Sequence, residues 1–141
     1  MSRAAQYTIE KKKRDHFSDF LINFDKNPVT GYLAKAVNRQ AIEGSMRNII
    51  LTNKGDWPFE SKLGSNIRAS MFELADERVA FSLRNDIIEA LTLFEPRINV
   101  EEVSVQQIDN NPNAVYISIF YTIINIADEN FQLDIVVNRV R

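Results

Sequence analysis

The strongest constraint on the fold is a change of hydrophobic period at Glu95-Pro96-Arg97. Over residues 66–94 apolar side chains recur every three or four positions, as on one face of a helix. Over residues 98–137 they alternate every second position, as in a strand with one buried face. Because proline disfavours the helical conformation for the residue before it, the switch falls at Glu95. The chain is therefore expected to fold as helices followed by strands.

The helical part divides into segments. Residues 39–52 predict a helix whose apolar face ends before Gly55, a candidate for a left-handed turn. Residues 66–94 carry two apolar stripes that fall out of phase near Asp76, which predicts two helices with Asp76 capping the second. The intervening residues 53–65 are rich in helix breakers and predict an irregular loop that is pinned by its own aromatic side chains.

The alternating part predicts three strands. Turn residues at 110–113 and 128–130 separate them, and a phase shift at Glu101-Glu102 indicates a bulge in the first. Short links favour an antiparallel arrangement. We therefore predict an α+β fold, with N-terminal helices packed on a three-stranded antiparallel β-meander.

The predicted sheet leaves surface for a partner. The middle strand is apolar on both faces, and its second face carries Tyr116 and Phe120. The last strand offers only Asp134, Arg139 and Arg141 as charged guards of its open edge. Such an edge permits a strand from another chain to add to the sheet.

The N-terminal part is predicted as an arm over residues 1–35, followed by one domain over residues 36–141. The arm carries the basic run 11–14 and His16, the one histidine of the chain. A cluster of apolar side chains behind them has helical spacing and predicts one or two turns of amphipathic helix, formed by Phe17, Phe20, Leu21 and Phe24.

Composition excludes several functions. The net charge of -2 provides no general attraction to nucleic acid or to an anionic membrane surface. The absence of cysteine excludes disulfides, zinc-thiolate sites and thiol nucleophiles. We find no uncharged run of about 18 apolar residues, no glycine-rich phosphate loop and no metal-ligand spacing. We therefore expect no cofactor, no metal and no membrane span.

Acidic residues leave one enzymatic alternative. A glycosidase needs two carboxylates facing each other, one of them with a raised pKa. Glu60, Glu73 and Glu95 are the candidates, but spacing alone does not pair them. Acids on the helices, such as Asp86 and Glu89, fit a solvated face better.

Four roles are open to Glu95 and Arg97: a hinge, an internal brace, a catalytic acid with its partner, or a docking feature. Pro96 makes the junction rigid, which argues against a hinge. The lack of an evident second carboxylate argues against catalysis. A brace and a docking feature remain.

Three short motifs resemble a known family: Pro58-Phe59, Gly64-Ser65 and Glu95-Pro96-Arg97. In this spacing, residues 36–141 resemble the sheath-initiating baseplate wedge proteins of phages with contractile tails, and their relative TssE of type VI secretion systems. The residues do not distinguish a phage protein from a secretion protein.

The resemblance implies a structural protein and not an enzyme. It implies that Glu95, Pro96 and Arg97 dock outward onto the core bundle of larger wedge subunits. It implies strand exchange with the tail sheath protein at the last strand, through Phe131, Leu133, Ile135 and Val137. The tail tube is a further candidate partner, and the expected location is the virion baseplate after assembly in the host cytoplasm. Because such proteins have been labelled lysozymes, a tail-associated peptidoglycan hydrolase is the alternative.

Overall fold

The computed structural model describes residues 17–21, 23–71, 77–108, 111–124, 126 and 129–138. The secondary structure runs in the order β1 Ser18–Phe20, β2 Lys35–Val37, α1 Arg39–Leu51, α2 Ile67–Ser70, α3 Glu77–Phe94, β3 Ile98–Ile108, β4 Asn111–Ile123 and β5 Asn130–Asn138.

The three long strands form one antiparallel sheet in the order β3-β4-β5. Its inner face, which includes Val103, Ile119 and Leu133, is buried against α1 and α3. The α+β prediction of helices on a three-stranded antiparallel sheet is confirmed. The register shifts between Val100 and Glu102, which confirms the predicted bulge.

The helices are amphipathic as predicted. In α1, Ile42, Met46 and Ile50 are buried, and in α3 Leu83 and Ile87 are buried. Helix–sheet burial of this kind is the main stabilising contribution, at roughly 25 cal/mol for each Å² of apolar surface removed from water. The predicted helix break at Asp76 lies outside the described residues, as do the basic run 11–14 and His16.

Two predictions about secondary structure are wrong. Residues 18–20 do not form a helical turn: they form strand β1, which pairs antiparallel with β2. Backbone pairing with Lys35–Val37 therefore determines the conformation of this segment, although its aromatic residues have helical spacing. The turn predicted at 110–113 is also wrong for its last three residues, because β4 already begins at Asn111, with a register shift opposite Gln107 and Ile108.

Candidate functional site

The corner between α3 and β3 is closed by backbone hydrogen bonds. The Glu95 N–H donates to the Leu91 carbonyl at 2.8 Å, which completes the last helical turn. The Ile98 N–H then approaches the Glu95 carbonyl at 3.4 Å, and β3 begins. Pro96 occupies the exposed tip, where its missing N–H leaves no bond unmade. The corner is a defined turn and not a hinge.

Glu95 points into the protein. Glu95 is only 1% exposed. Both of its carboxylate oxygens accept hydrogen bonds from Arg97: Nε donates to Oε1 at 2.5 Å and Nη2 to Oε2 at 2.6 Å. The Arg97 side chain lies above it and remains 30% exposed. The expectation that both charged groups face outward is therefore wrong for Glu95, because its charge is neutralised inside the chain.

The electrostatics of the pair follow from this geometry. Burial alone would raise the pKa of Glu95, but hydrogen bonds from Arg97 and Ser45 outweigh it and hold that pKa below its usual value. The bond to Glu95 raises the pKa of Arg97 in turn. Glu95 is thus ionised near neutral pH. A general acid needs the opposite shift.

The corner also fastens the N-terminal segment to the domain. The Arg97 guanidinium lies 5.6 Å from the centre of the Phe17 ring, a cation–π contact. The Phe17 carbonyl accepts from the Asn38 N–H at 2.7 Å, just before α1 begins. Beside this contact an open groove of about 320 Å³ runs between α1 and the β1–β2 hairpin, with Asp19 on one wall and Ser45 on the other.

The second motif, Gly64-Ser65, is structural. Gly64 has a φ of +109°, and a Cβ placed there would stand 2.3 Å from the Thr52 carbonyl oxygen, so a side chain would collide. Ser65 is buried, and its Oγ donates to the Ile50 carbonyl at 2.6 Å. Together they close the 53–65 loop against the end of α1.

The first motif, Pro58-Phe59, behaves differently. Phe59 is 98% exposed, and Trp57 and Pro58 are exposed beside it. The loop is therefore not pinned by its own aromatic residues, as the sequence predicted. A second clamp comes from Asp86 of α3, which contacts Lys54 Nζ at 3.3 Å and Asn66 Nδ2 at 3.0 Å. Sequence reasoning missed that role because Asp86 reads as part of a solvated helix face.

Alternate side chains of the last strand face the core, and its edge exposes backbone. Leu133, Ile135 and Val137 are buried in the core, with Phe131 partly buried beside them. The residues named as an exchange edge are therefore core residues, and what the edge offers to a partner is backbone. Asp134 lies on the outer face and accepts from Ser118 Oγ at 2.5 Å. Arg139 and Arg141 lie outside the described residues.

Two negative observations apply to the described part of the chain only. None of its helices has the length and apolar character needed to cross a membrane. Within the same residues, no group of three or more His, Cys, Asp or Glu is placed to hold a metal ion.

Fold and corner together define an α+β domain, in which a helix-backed sheet meets a braced helix–strand junction. The model of the baseplate wedge protein gp25 family matches residues 36–127, and the chain belongs to this family. The resemblance to contractile-tail baseplate proteins is thereby confirmed. The chain is a structural component of the baseplate of a virion tail.

One curated relative is the baseplate wedge protein gp25 of Enterobacteria phage T4. It is 25% identical over 101 residues, which are 72% of this chain and 76% of that protein. Among solved structures, the anti-feeding prophage baseplate contains a similar chain, with a TM-score of 0.67 and 20% identity, covering 79% of this chain and 89% of that one. A proposed tail lysozyme from Geobacter sulfurreducens has a TM-score of 0.61 and 24% identity, covering 71% and 89%. These two structures establish likeness of fold.

Proposed function

We propose that this protein is the wedge subunit that docks on the core bundle of the larger wedge subunits and templates the first ring of the tail sheath by strand exchange. Membership of the baseplate wedge family supports the setting. The observation that carries the templating step is β5, an edge strand whose alternate side chains are fixed in the core and whose outer backbone borders no other strand of the described sheet. Such an edge accepts an extended segment by main-chain hydrogen bonding.

The docking step is proposed for the corner at Glu95, Pro96 and Arg97. Glu95 itself is too deeply buried to touch a partner, so its role is to hold the guanidinium of Arg97 in one orientation. Pro96 and the exposed part of Arg97 then form the outward surface. A rigid, pre-oriented guanidinium loses little freedom on binding, which favours a selective contact with a partner carboxylate or carbonyl.

The proposal includes no hydrolytic step. Glu95 has a lowered pKa and is held by Arg97, which suits a brace and does not suit a proton donor. Glu60 is exposed, and Glu73 lies outside the described residues. Purified protein is expected to leave a peptidoglycan suspension turbid. Clearing that is lost in Glu60→Gln or Glu95→Gln would contradict this part of the proposal.

Templating is tested at Val136, because deleting the whole strand would also remove buried Leu133, Ile135 and Val137. Val136→Pro removes one N–H from β5 without removing a core side chain, since Val136 is exposed on the outer face. Val136→Thr is the matched control, because it keeps both the N–H and the β-branched shape.

Complementation of a phage lacking the gene provides the measurement. With Val136→Pro we expect assembled baseplates by electron microscopy but few or no sheathed tails, whereas Val136→Thr restores both. Sheaths of normal length on Val136→Pro baseplates would refute strand exchange at this edge. Circular dichroism and the unfolding midpoint of the purified variant establish that it is folded.

A further inference from the structure

The free edge of β5 is set by the register of the sheet. The Ile124 N–H donates to the carbonyl of Arg97, the residue before β3, at 2.9 Å. From there the backbone groups of β4 point alternately toward β3 and toward β5. In an antiparallel ladder, alternate residues direct both backbone groups to one side. The odd-numbered residues of β4 therefore face β5, and on β5 their direct partners include Leu133 and Ile135. The outward residues of β5 are then Gln132, Asp134 and Val136.

Two arginines of α1 reach these outward groups. Arg39 Nη2 donates to the Gln132 carbonyl at 3.2 Å, and Arg47 Nη2 donates to the Asp134 carbonyl at 3.4 Å. Both bonds join residues that are more than 80 positions apart in the sequence, so they are tertiary contacts and not local ones. Each places a cationic, multiply hydrogen-bonding group where a neighbouring strand would need to lie.

The two contacts differ in strength. Arg39 is also held by Glu43, with Nε 2.6 Å from Oε1, and it lies 5.1 Å from the centre of the Phe131 ring. Glu43 in turn accepts from the Tyr121 hydroxyl at 3.1 Å. The Arg47 contact is longer. Farther along the strand, the residue Val136 is 53% exposed. The edge thus becomes more firmly covered from Val136 toward Gln132.

We propose that Arg39 and Arg47 form a displaceable guanidinium guard, which keeps the β5 edge of the free protein from pairing with another β-strand. The strand that displaces the guard starts at Val136 and then replaces Arg47 before Arg39. When an arginine is displaced, its freed guanidinium donor bonds to water and the β5 carbonyl accepts from a backbone N–H of the incoming strand. Displacement therefore costs little free energy. If the proposed function is correct, the incoming strand in the tail is the sheath segment.

The guard is testable without any sheath protein, because a second copy of β5 serves as the probe strand. Arg39→Met/Arg47→Met keeps the apolar stems but removes both donors. We expect this double variant to self-associate roughly ten-fold more tightly than the native protein in sedimentation equilibrium. Lys62→Met/Arg68→Met, at two exposed positions elsewhere, makes the same change in charge and is expected to behave as the native protein does.

Adding Val136→Pro to the double variant locates the contact. We expect the triple variant to return to native association, because the edge loses the N–H at its starting point. A double variant that associates no more than the native protein would overturn the guard. Association that persists in the triple variant would overturn it as well, since another surface would then be responsible.

The order of opening is tested by the single variants. Arg47→Met uncovers Asp134 next to the open Val136 end, whereas Arg39→Met uncovers Gln132 behind a remaining guard. We therefore expect Arg47→Met to increase association more than Arg39→Met. An equal or reversed effect would overturn the proposed starting point. Arg47→Met retains the Arg39–Glu43 pair. If the double variant does not fold, this single variant tests the guard in its place. Failure of these tests leaves sheath templating intact, and failure of templating leaves the guard intact.

Discussion

Two arginine–carboxylate pairs in this protein have similar shortest contacts and different surroundings. Arg97 donates to both oxygens of Glu95, whereas Arg39 donates through Nε to one oxygen of Glu43. Arg97 contacts Glu95 at 2.5 Å and Arg39 contacts Glu43 at 2.6 Å. The Glu95 and Arg97 side chains are 1% and 30% exposed, whereas those of Glu43 and Arg39 are 22% and 52% exposed. Water can replace the lost partner in the second pair but not in the first. Distance alone therefore does not distinguish a brace from a displaceable contact, and burial does.

The difference matches what each pair is proposed to do. The corner must hold α3, β3 and the Phe17 segment together, so its carboxylate is enclosed and is satisfied by the partly exposed Arg97. The α1 pair lies beside a strand edge that is proposed to open, so its charges remain within reach of solvent. Substitutions that break one pair at a time should therefore have different effects.

The largest effect is expected for Arg97→Met. It leaves the Glu95 carboxylate buried without its cation, and loss of one partner of a buried pair costs about 3 kcal/mol. Urea unfolding at pH 7 should show this loss in the free energy of unfolding. Arg68→Met, at an exposed position of α2, is the control and should change it by less than about 0.5 kcal/mol.

A double variant separates the cost of an unpaired buried charge from the loss of the Arg97 side chain. Glu95→Met/Arg97→Met removes both charges and replaces them with apolar side chains of related size. We expect it to recover part of the stability that Arg97→Met loses, because no unpaired buried charge remains. If Arg97→Met were as stable as the native protein, Glu95 would not depend on Arg97 and the brace would be refuted.

The second effect is a dependence on pH. Because the folded pKa of Glu95 lies below its unfolded value of about 4.3, its contribution is complete above that value and is lost as pH falls through the folded pKa. Native protein should exceed Glu95→Gln in stability by roughly 1–2 kcal/mol at pH 6–8, and this gap should shrink below about pH 4. A gap that is unchanged down to pH 3 would contradict an ionised, stabilising Glu95.

In Arg97→Met the pH dependence of stability from Glu95 is expected to have the opposite sign. There desolvation acts on Glu95 without its cation, so the folded pKa should rise above the unfolded value. Stability from this group is then present at low pH and lost as pH increases through the folded pKa. The variant should therefore lose less stability than the native protein does between pH 6 and pH 4.

The sequence predicted the elements better than the roles of single residues. Periodicity located α1, α3 and the three-stranded sheet, because burial of one face leaves a direct pattern in the chain. It could not show that Glu95 turns inward, since a carboxylate beside a proline corner fits either direction until its partners are placed. The same holds for Arg39, which reads as a surface i,i+4 pair with Glu43 and contacts a strand 93 residues away.

Motifs were informative in a similarly uneven way. Gly64 and Ser65 are needed by the backbone, because Gly64 has no room for a Cβ and Ser65 binds the end of α1. Phe59 belongs to the same loop motif but is almost fully exposed. A pattern of residue types does not separate a packing requirement from a surface, since that distinction depends on what the rest of the chain places nearby.

The smallest effect on stability is expected for Arg39→Met. An exposed pair of this kind contributes about 0–1 kcal/mol, so the free energy of unfolding should fall by no more than about 0.5 kcal/mol at pH 7. Because salt screens exposed charges, the small difference should vanish in 1 M NaCl, whereas the loss in Arg97→Met should persist there. Urea unfolding of both variants at low and high salt makes this comparison. If Arg39→Met instead lowered the free energy of unfolding by about 2 kcal/mol or more at both salt concentrations, the α1 pair would be a second brace. The physical basis for a guard that opens would then be removed.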